Sequence, residues 1–116
     1  MIEQAYIQSL CETYGVAMVF CGHNHYYAHC DVNGVKHITT AGGGAELATP
    51  DLSYHPSVVT ALSAYHFSKV DIHGQQLDFE AVEFDGTVID AFTLYHVDDT
   101  TAQIPDANAY AWSYSR

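Results

Sequence analysis

Residues 16–27 read Val16-Ala17-Met18-Val19-Phe20-Cys21-Gly22-His23-Asn24-His25-Tyr26-Tyr27, an apolar run that ends at a glycine and two histidines. A short, uninterrupted apolar run bounded by turn residues is typical of a strand buried on both faces. Residues 16–21 are therefore predicted to form such a strand within an α/β layer. The polar residues that follow are predicted to lie in the loop at its carboxyl end.

The segment before this strand is predicted to be a helix. Apolar residues recur there at helical spacing, at Ile2, Ala5, Tyr6, Leu10 and Tyr14. Gly15 follows them at the position where a helix commonly ends on a glycine. No Ser, Thr, Asp or Asn precedes the helix as a cap, which is typical of a segment cut from a longer one.

The segment after the histidines carries a strong hairpin signal. Asn33-Gly34 predicts a two-residue turn between strands over residues 27–32 and 35–41. The glycines at 42–44 then allow backbone conformations that side chains disfavour. Pro50 and Pro56 interrupt the following residues, so a long surface loop is predicted over residues 45–63.

A second group of strands is predicted over residues 65–73, 77–84 and 88–95, with turns at Gly74-Gln75 and Asp85-Gly86. Residues 97–116 are more polar and are predicted to form a tail or arm. The predicted fold class is α/β, or α+β for this piece alone. One helix and a buried strand lead into an antiparallel sheet, with residues 1–96 forming the main unit.

Composition excludes several classes of partner. The 116 residues contain three Lys and Arg against fourteen Asp and Glu, for a net charge of −11. Such a surface repels phosphate backbones and anionic membranes, so neither nucleic acid nor membrane is predicted as a partner. No apolar run approaches the ~20 residues of a membrane span, and no signal peptide opens the chain, so localisation is not assigned. Cys11, Cys21 and Cys30 have no disulfide-framework spacing.

The chemistry is concentrated at His23 and His25. Two histidines at positions i and i+2, directly after a strand and Gly22, can present both imidazoles at one rim. Neutral imidazole is the commonest protein ligand for zinc and related metals. A His-x-His pair alone is also common on ordinary surface strands, so its context decides the interpretation.

That context resembles the calcineurin-like metallophosphoesterases, and within them the purple acid phosphatases and their bacterial relatives. The resemblance spans roughly residues 2–95. It rests on Tyr14-Gly15-Val16, Gly22-His23-Asn24-His25-Tyr26-Tyr27, Asn33-Gly34-Val35, Thr40-Ala41-Gly42-Gly43-Gly44-Ala45, Tyr65-His66-Phe67, Gly74 with Leu77, and Asp85-Gly86-Thr87-Val88-Ile89-Asp90.

The resemblance implies a role for each histidine of the motif. His23 would ligate one metal of a dinuclear pair and His25 the other, with Fe, Zn or Mn as the ions. Such a pair activates hydroxide and clamps phosphate oxygens, so a phosphoester is the implied substrate. Asn24, Tyr27 and His55 are candidate substrate contacts or supporting residues near the metals.

Two departures from the family pattern limit what this chain does alone. Ala28-His29 stands where the family has Glu-Arg, which weakens the assignment to the purple acid phosphatase branch. The family's upstream ligand blocks, including the bridging carboxylate, do not occur. Two imidazoles alone do not hold two hard cations, so the isolated chain is predicted to be inactive.

Alternatives to the dinuclear site remain. Cys21, His23, His25, His29 and Cys30 form a Cys/His cluster that resembles a closed structural zinc site. The histidines in strand contexts are interpreted as structural; they are His37, His66, His73 and His96. No Gly-Lys-Ser/Thr follows the glycines at 42–44, which excludes a P-loop.

The predicted fold also suggests partners. A sheet that lacks its second half exposes apolar faces and strand edges, which another chain tends to cover. A homo-oligomer or a separately encoded N-terminal half is therefore predicted. The main alternative to a phosphoesterase fragment is a catalytically silent module that binds metal or supports oligomerisation.

Overall fold

The computed structural model describes residues 2–51, 57–98 and 110–115. Its elements in chain order are α1 (Ile2–Tyr14), β1 (Met18–Cys21), β2 (Tyr27–Val32), β3 (Val35–Thr40), β4 (Val58–Leu62), β5 (His66–His73), β6 (Gln76–Glu83), β7 (Val88–Asp98) and β8 (Tyr110–Ser115). The chain is thus a small α+β domain that consists mostly of sheet, as the sequence predicts.

Two four-stranded sheets carry the strands. The first sheet has the order β1-β3-β2-β4, and the second has the order β5-β6-β7-β8. In the first sheet β1 runs parallel to β3, whereas β2 is antiparallel to both β3 and β4. The second sheet is an antiparallel meander.

The core lies between the two sheets. Its buried members are Tyr27, Ile38, Leu77, Phe79, Ala81, Phe92 and Leu94, which come from β2, β3, β6 and β7. The rings of Phe79 and Phe92 stack with centroids 4.7 Å apart, and Tyr27 stacks on Phe79 at 6.4 Å. Offset aromatic stacking adds to the burial of apolar area, and the contact of Tyr27 with Phe79 joins the first sheet to the second.

Helix α1 packs on the other face of the first sheet. Residues alternate between the two faces of a strand, so His37 on β3 points away from the core that contains Ile38. The Oε1 atom of Gln8, on the helix, lies 2.6 Å from His37 Nε2. The Nε2 atom of Gln8 donates to the Val32 carbonyl at 3.1 Å. Cys11 is buried in the same contact. No helix in the described part of the chain has the length and apolarity to cross a bilayer.

The predicted helix and hairpin are confirmed. The helix spans residues 2–14, and Gly15 follows it with a φ of 67°. At the hairpin Asn33 and Gly34 have φ values of 51° and 83°, as a turn with two left-handed positions requires.

The prediction that residues 16–21 form a strand buried on both faces is wrong. Strand β1 covers residues 18–21 and pairs on one side only, with β3, within the described residues. Phe20 is 48% exposed and Cys21 is exposed. An apolar run in the sequence predicts a strand, but it does not indicate whether that strand lies in the centre or at the edge of its sheet.

The predicted loop over residues 45–63 is also wrong in its last part. Strand β4 occupies residues 58–62 and pairs with β2. Its sequence, Val58-Val59-Thr60-Ala61-Leu62, is rich in β-branched residues, which favour strands. Residues 97–116, for which the sequence predicts a polar tail or arm, contribute the end of β7 and the whole of β8.

Candidate functional site

The two motif histidines lie in a tight loop between β1 and β2. The Asn24 N–H donates to the Gly22 carbonyl at 3.0 Å, and the Tyr26 N–H donates to the Asn24 carbonyl at 2.8 Å. These two successive short turns hold the loop above the carboxyl end of β1. The Ala48 N–H donates to the His25 carbonyl at 2.9 Å, which ties the loop to the segment after β3.

The imidazole of His25 is oriented by a main-chain carbonyl. Its Nδ1 lies 2.9 Å from the Glu46 oxygen. Because a carbonyl oxygen only accepts hydrogen bonds, Nδ1 carries the proton and Nε2 of the neutral ring keeps its lone pair. Metal-ligating histidines commonly have their second nitrogen held in this way. His25 therefore has the tautomer that a metal ligand needs.

His23 has an unusual backbone conformation. Its φ is 76°, in the left-handed region that costs a non-glycine residue about 1–2 kcal/mol. The side chain is exposed. An exposed imidazole on a strained loop position contributes little to packing, which is the pattern expected where strain serves a site.

The described residues supply no complete metal site. No group of three or more His, Cys, Asp or Glu side chains in that part of the chain is placed to hold an ion. The loop by itself offers two imidazoles.

The three candidate supporting residues fall in different places. Asn24 is exposed in the loop, next to both histidines. Tyr27 is fully buried in the core, which leaves it a supporting role below the loop and no direct contact with a substrate. His55 lies outside the described residues.

The alternative Cys/His zinc cluster is not formed. All five of its members lie in the described part of the chain, where no metal-capable group of three exists. His29 points into the core and is 1% exposed, whereas Cys30 follows it on the strand and faces the opposite side. The Cys21 sulfur lies 3.4 Å from Thr39 Oγ1. Burial raises the pKa of the Cys30 thiol, and the neighbouring Cys21 adds to the rise.

A buried polar link joins the sheets beneath the loop, and the sequence did not predict it. The Tyr27 hydroxyl donates to Asp90 Oδ2 at 2.6 Å, and His29 Nδ1 lies 2.8 Å from the same oxygen. Burial opposes ionisation of Asp90, yet the hydrogen bonds from His29 and Tyr27 hold the pKa of this carboxyl below its ordinary value. Burial, reinforced by the Asp90 hydrogen bond, raises the pKa of Tyr27. The phenol is therefore a structural donor.

Comparison with protein-family models, with characterised proteins and with solved structures returns no match for this chain. The functional interpretation therefore rests on the residues themselves.

Proposed function

We propose that this chain is the C-terminal portion of a calcineurin-like metallophosphoesterase, with His23 and His25 as two of its metal ligands. The observation that carries the proposal is the His25 imidazole, whose Nδ1 is engaged by the Glu46 carbonyl at 2.9 Å. That contact leaves Nε2 available to a cation beside the exposed His23.

The surroundings of the pair favour a cation. The chain carries a net charge of −11, which raises the local concentration of metal ions near its surface. Gly22 places no side chain next to His23 and His25. Imidazole ligands suit Zn and Fe in proteins, and carboxylate ligands suit Mn. Bound metal ions would supply Lewis-acid activation of water and of phosphate oxygens.

The proposal includes a partner, because the described residues lack a third ligand. A dinuclear site needs bridging and terminal carboxylates, which the N-terminal half of the enzyme would bring. The isolated chain is therefore expected to bind metal without hydrolysing phosphoesters. Addition of a chain that carries the missing ligands is expected to restore hydrolysis.

Metal binding tests the histidine pair directly. Chelator-treated protein is loaded with Zn or Mn, and the bound metal is measured by elemental analysis and by titration calorimetry. The double variant His23→Asn/His25→Gln is expected to lower the metal affinity at least about 10-fold, the loss typical of a damaged metal site. Asparagine suits position 23 because it tolerates positive φ values.

The matched control for metal binding is His73→Gln. His73 is an exposed histidine that lies 2.8 Å from Asp78, far from the loop in the sequence. This variant is expected to bind metal as the parent does. Equal affinity of the double variant and the parent would contradict the proposal, since the metal would then bind elsewhere.

A catalytically silent module that forms homo-oligomers is the second candidate, and the exposed apolar surface favours it. Phe20 on β1 is 48% exposed, and Val70 and Ile72 on β5 are 39% and 69% exposed. Phe20 and Val70 line one groove beside the edge strand β1, whose outer edge carries no partner within the described residues. Exposed strand edges and apolar side chains favour association with a second copy.

Light scattering at high protein concentration separates these two candidates. If the edge of β1 is an oligomer interface, the parent is a dimer and Phe20→Glu is expected to be a monomer. Phe84→Glu is the matched control, because Phe84 is 83% exposed at the turn between β6 and β7. A monomeric parent would contradict the oligomerisation module and would leave the metal proposal intact.

A further inference from the structure

A chain of hydrogen bonds outside the histidine loop joins the end of β3 to the start of β5. His66 Nδ1 lies 2.9 Å from the Ala64 carbonyl oxygen, and His66 Nε2 lies 3.0 Å from Thr40 Oγ1. Thr40 Oγ1 lies 2.8 Å from Ser68 Oγ. The four groups thus form one continuous series from a hydroxyl, through a second hydroxyl and an imidazole, to a main-chain carbonyl.

The direction of each bond follows from the carbonyl. The Ala64 oxygen only accepts, so His66 Nδ1 carries the ring proton and Nε2 accepts from the Thr40 hydroxyl. Thr40 has one hydroxyl hydrogen, so the Ser68 hydroxyl donates to Thr40. A hydroxyl that donates to an imidazole, itself oriented by a third group, is the arrangement of an activated nucleophile.

The imidazole is held firmly. His66 is 7% exposed, and the main-chain N–H of His66 donates to the Gly42 carbonyl at 3.0 Å. The Tyr27 ring meets the His66 ring edge-on, with centroids 5.3 Å apart. These contacts fix Nε2 toward Thr40, which is the preorganisation that a general base needs.

The hydroxyls open onto a groove with apolar walls. Thr40, Ser68 and His66 line a groove of about 460 Å³, together with Phe20, Phe67 and Val70. This volume lies within the range of ligand sites. No lysine or arginine among the described residues lines the groove, and the chain is strongly acidic, so an anionic ligand is disfavoured. The groove suits an uncharged ligand with a short apolar group.

We propose that Thr40 is the nucleophile of an acyl-transfer site that accepts uncharged esters with short apolar acyl groups. Thr40 Oγ1 forms a bond to the ester carbonyl carbon as its proton passes to His66 Nε2. The carbon–oxygen bond to the alcohol breaks, and the alcohol leaves with the proton from His66. Water then attacks the acyl-Thr40 ester, with His66 taking and returning a proton, and the acid is released. The Ser68 hydroxyl, which donates to Thr40 Oγ1, holds that oxygen in position beside His66.

The test is covalent labelling of the full chain with an alkyl fluorophosphonate in the presence of a chelator, followed by intact mass and peptide mapping. The Thr40 oxygen forms a bond to phosphorus, fluoride leaves, and the proton goes to His66. One adduct at Thr40 is expected. The chelator makes the result independent of the metal proposal.

Variants assign the roles. Thr40→Val is expected to lose the adduct, and Thr40→Ser is expected to retain it. His66→Gln is expected to slow labelling about 100-fold, the lower end of what a general base contributes. The matched control is Thr39→Val, which removes a neighbouring hydroxyl on the opposite face of β3 and is expected to label as the parent does.

Labelling of the parent decides the proposal even where a variant does not fold. A parent that takes no adduct, or takes it at a residue other than Thr40 or Ser68, overturns the site. An adduct at Ser68 overturns the assignment of Thr40 as the nucleophile. Labelling of His66→Gln at the parental rate overturns the role of the imidazole as base.

Discussion

Replacing Gly42 with alanine is expected to lower the free energy of unfolding by about 3 kcal/mol, at the upper end of the usual cost of overpacking. A Cβ at position 42 would lie 2.3 Å from the Ala64 carbonyl oxygen and 2.5 Å from His66 Nδ1. The nearest atom belongs to the backbone, so a side-chain rotation does not relieve the overlap. The backbone around Gly42 or Ala64 must move instead, and this movement disturbs the hydrogen bond from the main-chain N–H of His66 to the Gly42 carbonyl.

Gly43→Ala is the matched control for this change. A Cβ on Gly43 would meet no atom within 4 Å. The two substitutions are chemically identical and adjacent, so their difference isolates the close approach at Gly42. Urea unfolding of both variants measures it. Equal stability of the two variants would show that the approach of β5 to Gly42 is not part of the fold in solution.

The histidine loop and the hairpin could be predicted because their signals are local. Asn33 and Gly34 are adjacent, and a two-residue turn with left-handed positions needs such residues. His23 and His25 are two positions apart in the sequence, directly after Gly22. The helix is equally local, because its apolar residues repeat within one segment. Short-range signals of this kind do not depend on how the sheets pack.

Contacts between the sheets could not be predicted in this way. His29 and Asp90 are 61 residues apart, and Thr40 and His66 are 26 residues apart. Only the packing of the two sheets brings these residues together. The strand context predicts His66 to be a structural histidine, but nothing in the sequence identifies Thr40 as its hydrogen-bond partner. The exposure of β1 could not be predicted for the same reason, because an apolar run does not indicate which elements pack against the strand.

Removing the carboxylate of Asp90 is expected to be the other large change. Asp90→Ala leaves the Tyr27 hydroxyl and the His29 Nδ1 without their acceptor in the core. His29 Nε2 is already buried without a hydrogen-bond partner, so the ring would lose its remaining polar contact. Each buried donor that is left without its acceptor costs about 1–3 kcal/mol, so the loss of the acceptor of both donors is expected to cost about 3 kcal/mol or more. Urea unfolding at neutral pH is expected to show a loss of this size.

The matched control is Asp71→Ala, because Asp71 is an exposed aspartate whose ion pair with Lys69 spans 3.4 Å. Exposed pairs of this kind contribute little, and this variant is expected to unfold as the parent does within about 0.5 kcal/mol. Equal losses in the two aspartate variants would contradict the role of the buried link.

The pH dependence of the Asp90→Ala effect tests whether the carboxylate itself is responsible. The pKa of Asp90 is lower in the folded chain than its ordinary value of about 3.9 in the unfolded chain. A depressed pKa contributes stability that is fully present above the unfolded value and is lost as the pH falls through the folded value. The contribution of the Asp90 carboxylate to the difference in unfolding free energy between parent and Asp90→Ala is therefore expected to be lost as the pH falls below about 4. A difference that stays the same in acid would mean that the loss comes from packing around position 90, because protonation of the carboxylate would then have no effect on stability.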